Sequence, residues 1–461
     1  MLSSPKVPLL LAFLSLISTS AIQGQEPVDL LIQGGRYFDV ETLTLKENRG
    51  LAIHDGKFVG IDVASKDFRP EKVLELEPEH VVLPGLVDLH AHYNVRLFKI
   101  RREEFQVMPV VYLANGATLT FTAGEYDPEG MDKLKKQIQR GEQIGPELLT
   151  SGPYYGTARR GWGRRGRTAE QIQQDVKKWA ERGVAGFKAK QIRPEELKAL
   201  IDAAHEQGLT VTGHLGSGFR STVNPRDAIE MGIDRIEHFL GGAALSPDKP
   251  AYSSLENVAP DAPAIAEIIR LYVERDIWFD ATLTAFGYFG DRGEVYEQWQ
   301  DEKAFFTPYV REQLASRERK PIAQFEKIFR VKQKIIKAYF DAGGKITLGT
   351  DHFSDGSYLP GFGVHRELHA LVRSGIPPAE ALKIGTLNGA TAMRLDDRYG
   401  SITQGKIADA YIILGDPLQD IRNTRHGVYV VRKGTVHRTA DLLKNVEGKL
   451  GPANEEERSA W

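Results

Sequence analysis

The sequence predicts an α/β protein built on a (β/α)8 TIM barrel, and three observations carry that prediction. Eight short β-rich runs follow one another: LPGLVDLH, TLTFTAG, ELLTSGP, AGFKAK, LTVTGH, RIEHF, DIWFDATL and KITLGT. Between them lie stretches with apolar residues at helical spacing, such as AEQIQQDVKKWAERG and PEELKALIDAAHEQG, each closing on a Gly suited to a helix C-cap. Five of the segments also end at a side chain able to bind a divalent cation: His90 and His92, Lys188, His214, His238 and Asp351. The C-terminal ends of barrel strands converge on one mouth, so residues far apart in sequence can meet there.

Taken in order, the chain opens with a stretch to about Gly24 that reads as a secretory signal peptide. Lys6 is followed by an apolar run over residues 7–17, then by Ser18, Thr19, Ser20 and Ala21. Export to the periplasm or the extracellular medium is expected, with cleavage after Ala21 or Gly24. The apolar run is about half the length that spans a bilayer, which makes an uncleaved anchor the second reading. No later segment reaches spanning length, so no membrane span is expected after leader removal.

Residues 27–80 read as strands and turns. VDLLIQGG runs into Gly34-Gly35, and LAIHDGKFVGID sets Asp55-Gly56 between two β-rich runs, the pattern of a two-residue hairpin. The barrel is expected over residues 81–400. Its first strand is apolar throughout, as suits a parallel strand buried on both faces. Side chains alternate along a strand, so His90 and His92 point the same way and one metal can take both. After the third strand, YYGTARRGWGRRGR places Tyr154, Arg159 and Arg160 where they can contact substrate, with Arg164, Arg165 and Arg167 beyond them. The plainer reading of that loop is a solvated charge run, and it lacks the context of a nucleotide-binding glycine motif. Residues 284–322 read as a helical insertion over the mouth, whose aromatics pack the insertion. His365 in SDGSYLPGFGVHRE reads as a helix-start residue. Residues 401–440 hold two strand-like runs too late for the barrel, ADAYIILG and HGVYVVRKGTV, and residues 441–461 form a charged tail.

Composition narrows the function. A net charge of −2 over 461 residues argues against a nucleic-acid partner, which would favour a basic face. The absence of cysteine excludes disulfides, thiolate ligands and a lipid-modified N-terminal cysteine. A small-molecule substrate is expected, and a homo-oligomer is compatible with the sequence.

PGLVDLHAH, GFKAK, VTGHL, IEH, LGTD, EALKIGTLNGATAMRL and GSITQGKIADAYIILGDPLQDI together resemble the amidohydrolase superfamily. Within it the chain is similar to imidazolonepropionase-related hydrolases and to Xaa-Pro or Xaa-Arg dipeptidases, over nearly the whole length after the leader. The resemblance implies two divalent ions. His90, His92 and Asp351 would bind one, His214 and His238 the other, and a carbamate on Lys188 would bridge them. Nitrogen and oxygen ligands in this arrangement suit zinc. Lys190 shares the face of Lys188, and Lys188 is preferred because it directly follows AGF, as the family's lysine does. A solvent oxygen held by the two ions as hydroxide is the expected nucleophile, with Asp351 as ligand and general acid/base. The resemblance also implies that the two chain ends pair into a small β-sandwich beside the barrel.

The expected activity is hydrolysis of amide or cyclic amide C–N bonds, with dipeptide or N-acyl amino acid substrates favoured. One alternative is a mononuclear deaminase or an imidazolone-type ring hydrolase. Those relatives lack the bridging lysine, and deaminases commonly carry a glutamate shortly after the third histidine, whereas Leu215, Gly216, Ser217 and Gly218 follow His214. The other alternative is a non-catalytic extracytoplasmic binding protein, against which the complete ligand set weighs.

Overall fold

The structure is a computed structural model that describes residues 25–156, 166–290, 301–315, 321–352 and 358–461. The leader, Arg159 and Arg160 lie outside the described residues.

The barrel strands follow in sequence order: β1 Leu86–Ala91, β2 Ala117–Thr122, β3 in two pieces, Glu147–Leu149 and Tyr154–Gly156, β4 Gly186–Lys190, β5 Thr210–His214, β6 Arg235–Glu237, β7 Trp278–Asp280 and β8 Lys345–Ile346. All neighbours pair in parallel. Strand β3 is split by Ser151-Gly152-Pro153; its first piece pairs back to β2 and its second forward to β4. Closure runs through the stretch after β8, where Leu89 N donates to Leu348 O at 2.9 Å and Asp351 N to His90 O at 3.0 Å. The register aligns Lys190, His214, Glu237 and Asp280 on successive strands, so chemistry-bearing side chains come to one level of the mouth.

The outer helices form where the apolar spacing predicts them. Ala169–Glu181 begins with a capping box of Thr168 and Gln171 and buries Ile172, Val176 and Trp179. Pro194–Glu206 starts on proline and buries Leu197, Leu200, Ile201 and Ala204. Burial of each such leucine contributes roughly 1.5–3 kcal/mol, and Leu200→Ala would cost about 2–5 kcal/mol with its cavity. The chain leaves these helices through Gly183 and Gly208, at φ of 78° and 70°.

The two chain ends pair, as the resemblance implied, into one hydrogen-bonded sheet of eight strands. The junction is antiparallel, joining His80–Pro84 to Ala410–Leu414. Leu30, Ile32, Ile53, Phe58, Val82, Ala410 and Ile412 share one core there. Asp55-Gly56 makes the expected hairpin, with φ of 47° and 68° between paired His54 and Lys57. Gly34-Gly35 differs from expectation: the strand Glu26–Asp39 continues through both glycines, and its register shifts there as a bulge. Both φ values are positive, and a Cβ on Gly34 would meet the Leu76 carbonyl.

Three features shape the rim of the mouth. A hairpin, Asn94–Leu97 with Ile100–Glu103, follows β1. A helix, Leu283–Phe289, follows β7, and the short helices Asp301–Phe305 and Pro308–Ala315 lie beyond it. The tail packs against these parts: Leu450 N donates to Phe305 O at 2.9 Å, Thr307 N to Leu450 O at 3.0 Å, and the Arg102 guanidinium sits 5.4 Å from the Trp461 ring centre. Among the described residues no helix is long and apolar enough to cross a membrane.

Candidate active site

Every metal-ligand candidate named from sequence reaches the mouth of the barrel, and most converge on one carboxylate. Asp351 Oδ1 lies 2.8 Å from His92 Nε2 and 3.3 Å from His90 Nε2, and its Oδ2 lies 3.7 Å from His238 Nε2. The His214 ring is 4.4 Å from that of His238, edge to face. Lys188 Nζ lies against Glu237 Oε2, and Thr212 Oγ1 donates to the other oxygen of Glu237 at 2.9 Å. His90 Nδ1 faces Glu237 and Asp280 at 3.5 Å each.

Backbone strain marks the same place. His238, Thr282 and Asp351 follow β6, β7 and β8 with φ of 68°, 48° and 44°. Such conformations cost of order 1–3 kcal/mol each in non-glycine residues and gather where function over-determines them. Below the ligands, Asp88 accepts from His90 N, Thr350 N and Thr350 Oγ1 at 2.8–3.1 Å, tying β1 to the segment after β8. Burial pushes Asp88 up to about 6, against the pull of those hydrogen bonds.

Burial sets the protonation of the cluster. Desolvation drives His90, His92, His214 and His238 below the ordinary histidine value, toward the neutral form that gives a lone pair to a metal. For Asp351, burial pushes upward but His90 and His92 outweigh it and hold the carboxylate ionised. Desolvation pulls Lys188 well below the lysine range, with Asp351 opposing, which favours the neutral amine, the form whose lone pair can add to carbon dioxide. Asp280 is pushed well up by burial, and neither of its oxygens has a hydrogen-bond partner among the described residues.

This donor set fits metal ions. Two ligands about 2.1 Å from a tetrahedral ion lie roughly 3.4 Å apart, and the imidazole-to-carboxylate spacings above bracket that value. His90, His238 and Asp351 form one group within ligand reach, and His90, Glu237 and Asp280 form a second. His90 Nδ1 and His238 Nε2 are buried without hydrogen-bond partners among the described residues. Lys188 is engaged by Glu237 in this arrangement.

Above this floor is a cavity of about 230 Å³ that His92, His214 and Asp351 reach from below. Tyr154 lines it, as the sequence suggested, together with Lys190, Arg96 and Arg101. The Lys190 ammonium sits 5.5 Å from the Tyr154 ring centre, and Arg101 Nη1 donates to Tyr126 Oη at 2.7 Å. Phe286 and Phe289 also line this cavity, so aromatics of the insertion do more than pack it. A neighbouring cavity of about 270 Å³ shares His214 and Tyr252 as its wall. His365 is fully buried in the helix Gly363–Arg373, bonded to Thr424 and Asn115 at 3.2 Å and remote from the ligand cluster.

Several residues of the site were missed from sequence. Glu237 and Asp280 stand at strand ends in RIEHF and WFDATL, so the rule that selected the histidines would have found them. Lys332 and Glu367, on two outer helices, carried no such signal. Both are fully buried; desolvation moves the lysine down to about 7 and the glutamate up to about 7, each against the pull of its opposite charge.

Residues 81–439 match the amidohydrolase family. Among curated proteins, adenine deaminase 4 of Rhizobium meliloti (strain 1021) is 36% identical over 83 residues, which cover 16% of this chain and 14% of that protein. The match thus spans a small part of that relative's length. Among solved structures, a Xaa-Pro dipeptidase with methionine bound in its active site superposes with a TM-score of 0.63 at 20% identity, covering 89% of this chain and 99% of that one. Molinate hydrolase superposes with a TM-score of 0.67 at 18% identity, covering 93% and 99%. At these identities the structural likenesses establish a shared fold.

Proposed function

The chain belongs to the amidohydrolase family; from that premise we propose a hydrolytic enzyme acting on carbon–nitrogen bonds, an exported, binuclear metal-dependent amidase for dipeptides or N-acyl amino acids. The observation that carries the reading is the convergence of His90, His92 and His238 on Asp351 within a buried floor. His90, His92 and Asp351 would hold one ion, His214 and His238 the other, and a carbamate on Lys188 both. Bound there, divalent ions supply Lewis acidity toward a carbonyl oxygen and toward water.

The chain's own residues would do the rest. Asp351 keeps 23% of its side chain exposed while His90 and His238 are closed off. It is therefore the group placed to take a proton from the attacking water and hand it to the leaving nitrogen. Arg96, Arg101 and Lys190 surround the cavity with positive charge, which favours a substrate bearing a carboxylate. The name of the structurally similar Xaa-Pro dipeptidase agrees with that class.

Metal analysis of active protein should find close to two divalent ions per chain, zinc in the native form, and dipeptide and N-acyl amino acid libraries should contain the best substrates. Full activity with one ion would favour the second reading, a mononuclear deaminase or ring hydrolase. The contact of Lys188 with Glu237 speaks for that reading, because it keeps the lysine engaged elsewhere. Export rests on residues 1–24 alone, and intact mass from the native host should lack the first 21–24 residues. A full-length cytosolic species would refute it.

A further inference from the structure

We propose that Thr282, held in place by Lys332, is a positioning residue that fixes the tautomer of His238 and so aims Nε2 of that ring at Asp351. The Thr282 hydroxyl has its hydrogen-bonding capacity fully used. Thr282 Oγ1 lies 2.7 Å from Ala281 O, 2.6 Å from His238 Nδ1 and 3.5 Å from Lys332 Nζ. A hydroxyl has one proton to give and two lone pairs to receive with. The Ala281 carbonyl can only accept, so it takes the proton. With that proton committed, Lys332 Nζ meets the hydroxyl by donating an N–H to one of its lone pairs. The remaining contact must therefore be donated by His238 Nδ1–H. The ring is left with its lone pair on Nε2, the nitrogen that faces Asp351 Oδ2 at 3.7 Å and has no hydrogen-bond partner among the described residues.

The surroundings are built to keep Thr282 there. Its φ of 48° and ψ of 53° are a conformation that β-branched residues rarely adopt, so the turn must be held from outside. Two outer helices supply the grip. From Ala323–Asp341, Lys332 donates to the hydroxyl and lies 3.5 Å from the Phe286 ring centre. From Gly363–Arg373, Glu367 accepts from Leu283 N at 2.9 Å, Thr284 N at 2.6 Å and the Thr284 hydroxyl. Lys332 is 3% exposed, Glu367 1% and Thr282 0%, so solvent cannot replace any of them. This buried pair has no part in the proposed chemistry, and clamping one turn gives it a role.

The inference rests on the reading of His238 as a ligand, and the experiment separates the two. In metal-free, histidine-labelled full-length protein, long-range 1H–15N correlations should show His238 as the Nδ1–H tautomer, and Thr282→Val should abolish that preference. Zinc dissociation constants, measured by competition with a chromophoric chelator, should rise about 10–100-fold in Thr282→Val, the usual effect of losing the partner that orients a metal-binding histidine. Thr282→Ser, which keeps the hydroxyl, should restore most of both. Lys332→Met should weaken zinc binding more mildly, and add nothing in the Thr282→Val background if the lysine acts through the hydroxyl. An Nε2–H tautomer in the unaltered protein, or zinc affinity unchanged in a folded Thr282→Val variant while His238→Ala loses zinc, would overturn the proposal. If the tautomer responds as expected while His238→Ala binds zinc normally, the positioning stands and the ligand reading falls.

Discussion

The floor of the barrel mouth and its rim are a few ångströms apart and are built on different principles. On the floor, His90, Lys188, Glu237, His238 and Asp280 are at most 2% exposed, and each stands on or directly after a barrel strand held in the parallel ladder. On the rim, Arg96 is exposed and Arg101, Lys190 and Phe289 are half-buried. Most of these come from a hairpin and helices that no barrel ladder holds. A buried polar cluster tolerates no slack, because each unpaired atom is costly, whereas solvent can complete the bonding of a rim side chain. The floor is therefore suited to chemistry and the rim to choosing what reaches it.

If that division is right, substitutions should separate cleanly, beginning with the floor. His90→Ala and His238→Ala should each lower metal content and reduce kcat/KM by more than the roughly 10–100-fold typical of losing a supporting partner. Normal metal content and turnover in either would break the comparison outright. Lys188→Ala should lose the two-ion state and most activity, and a short-chain carboxylate in solution should restore part of both; Lys190→Ala, one step toward the rim, should be milder. Rescue equally well in neither or both would erase the distinction between these two lysines.

Rim changes should act on binding. Arg101→Ala is expected to raise KM about tenfold with kcat little changed, as when an interaction is equal in ground and transition states. Steady-state kinetics showing a fall in kcat alone would move Arg101 into the chemistry. The smallest effect is one of stability and pH. Glu103, in the rim hairpin, accepts from Tyr126 N at 3.0 Å, and burial raises its carboxyl from 4.5 to about 7. The folded chain thus holds this proton more tightly than the unfolded chain. That contribution to stability is complete below about pH 4.5 and is lost as pH rises through about 7. Glu103→Gln, uncharged throughout, should gain on the order of 1–3 kcal/mol relative to wild type between those limits. Parallel denaturation profiles across that range would show that the rim carboxyl does not titrate as its burial implies.

The same contrast explains what could be read from sequence. His90, His92, Lys188, His214, His238 and Asp351 were legible because a strand end in a barrel has only one place to be. Arg96 and Arg101 were not, since their hairpin is placed by contacts such as Arg102 with Trp461, which no local pattern announces. Lys332 and Glu367 look like ordinary polar positions on amphipathic helices until the fold brings both to the turn at Thr282. Gly34-Gly35, into which VDLLIQGG runs, is a bulge within a strand; a turn and a bulge both ask for positive φ, and glycine answers either, so the sequence does not choose between them. Tyr154, named from its loop as a substrate contact, lines the cavity.

The sheet shared by the chain ends has a kinetic consequence. Residues 80–84 pair with 410–414, and Gly85 N donates to Asp409 O at 3.0 Å, so the whole barrel lies inside the loop that this ladder closes. In an unfolded chain that closure carries a large entropic cost and few contacts to offset it. Once the barrel has formed, its compactness has already brought the two segments near each other. The ladder should therefore form late, as a clasp on an assembled barrel, and contribute little to the rate of folding. Contacts made after the transition state act mainly on unfolding, so the core of Val82, Ala410 and Ile412 would govern how long the native enzyme lasts rather than how quickly it is made.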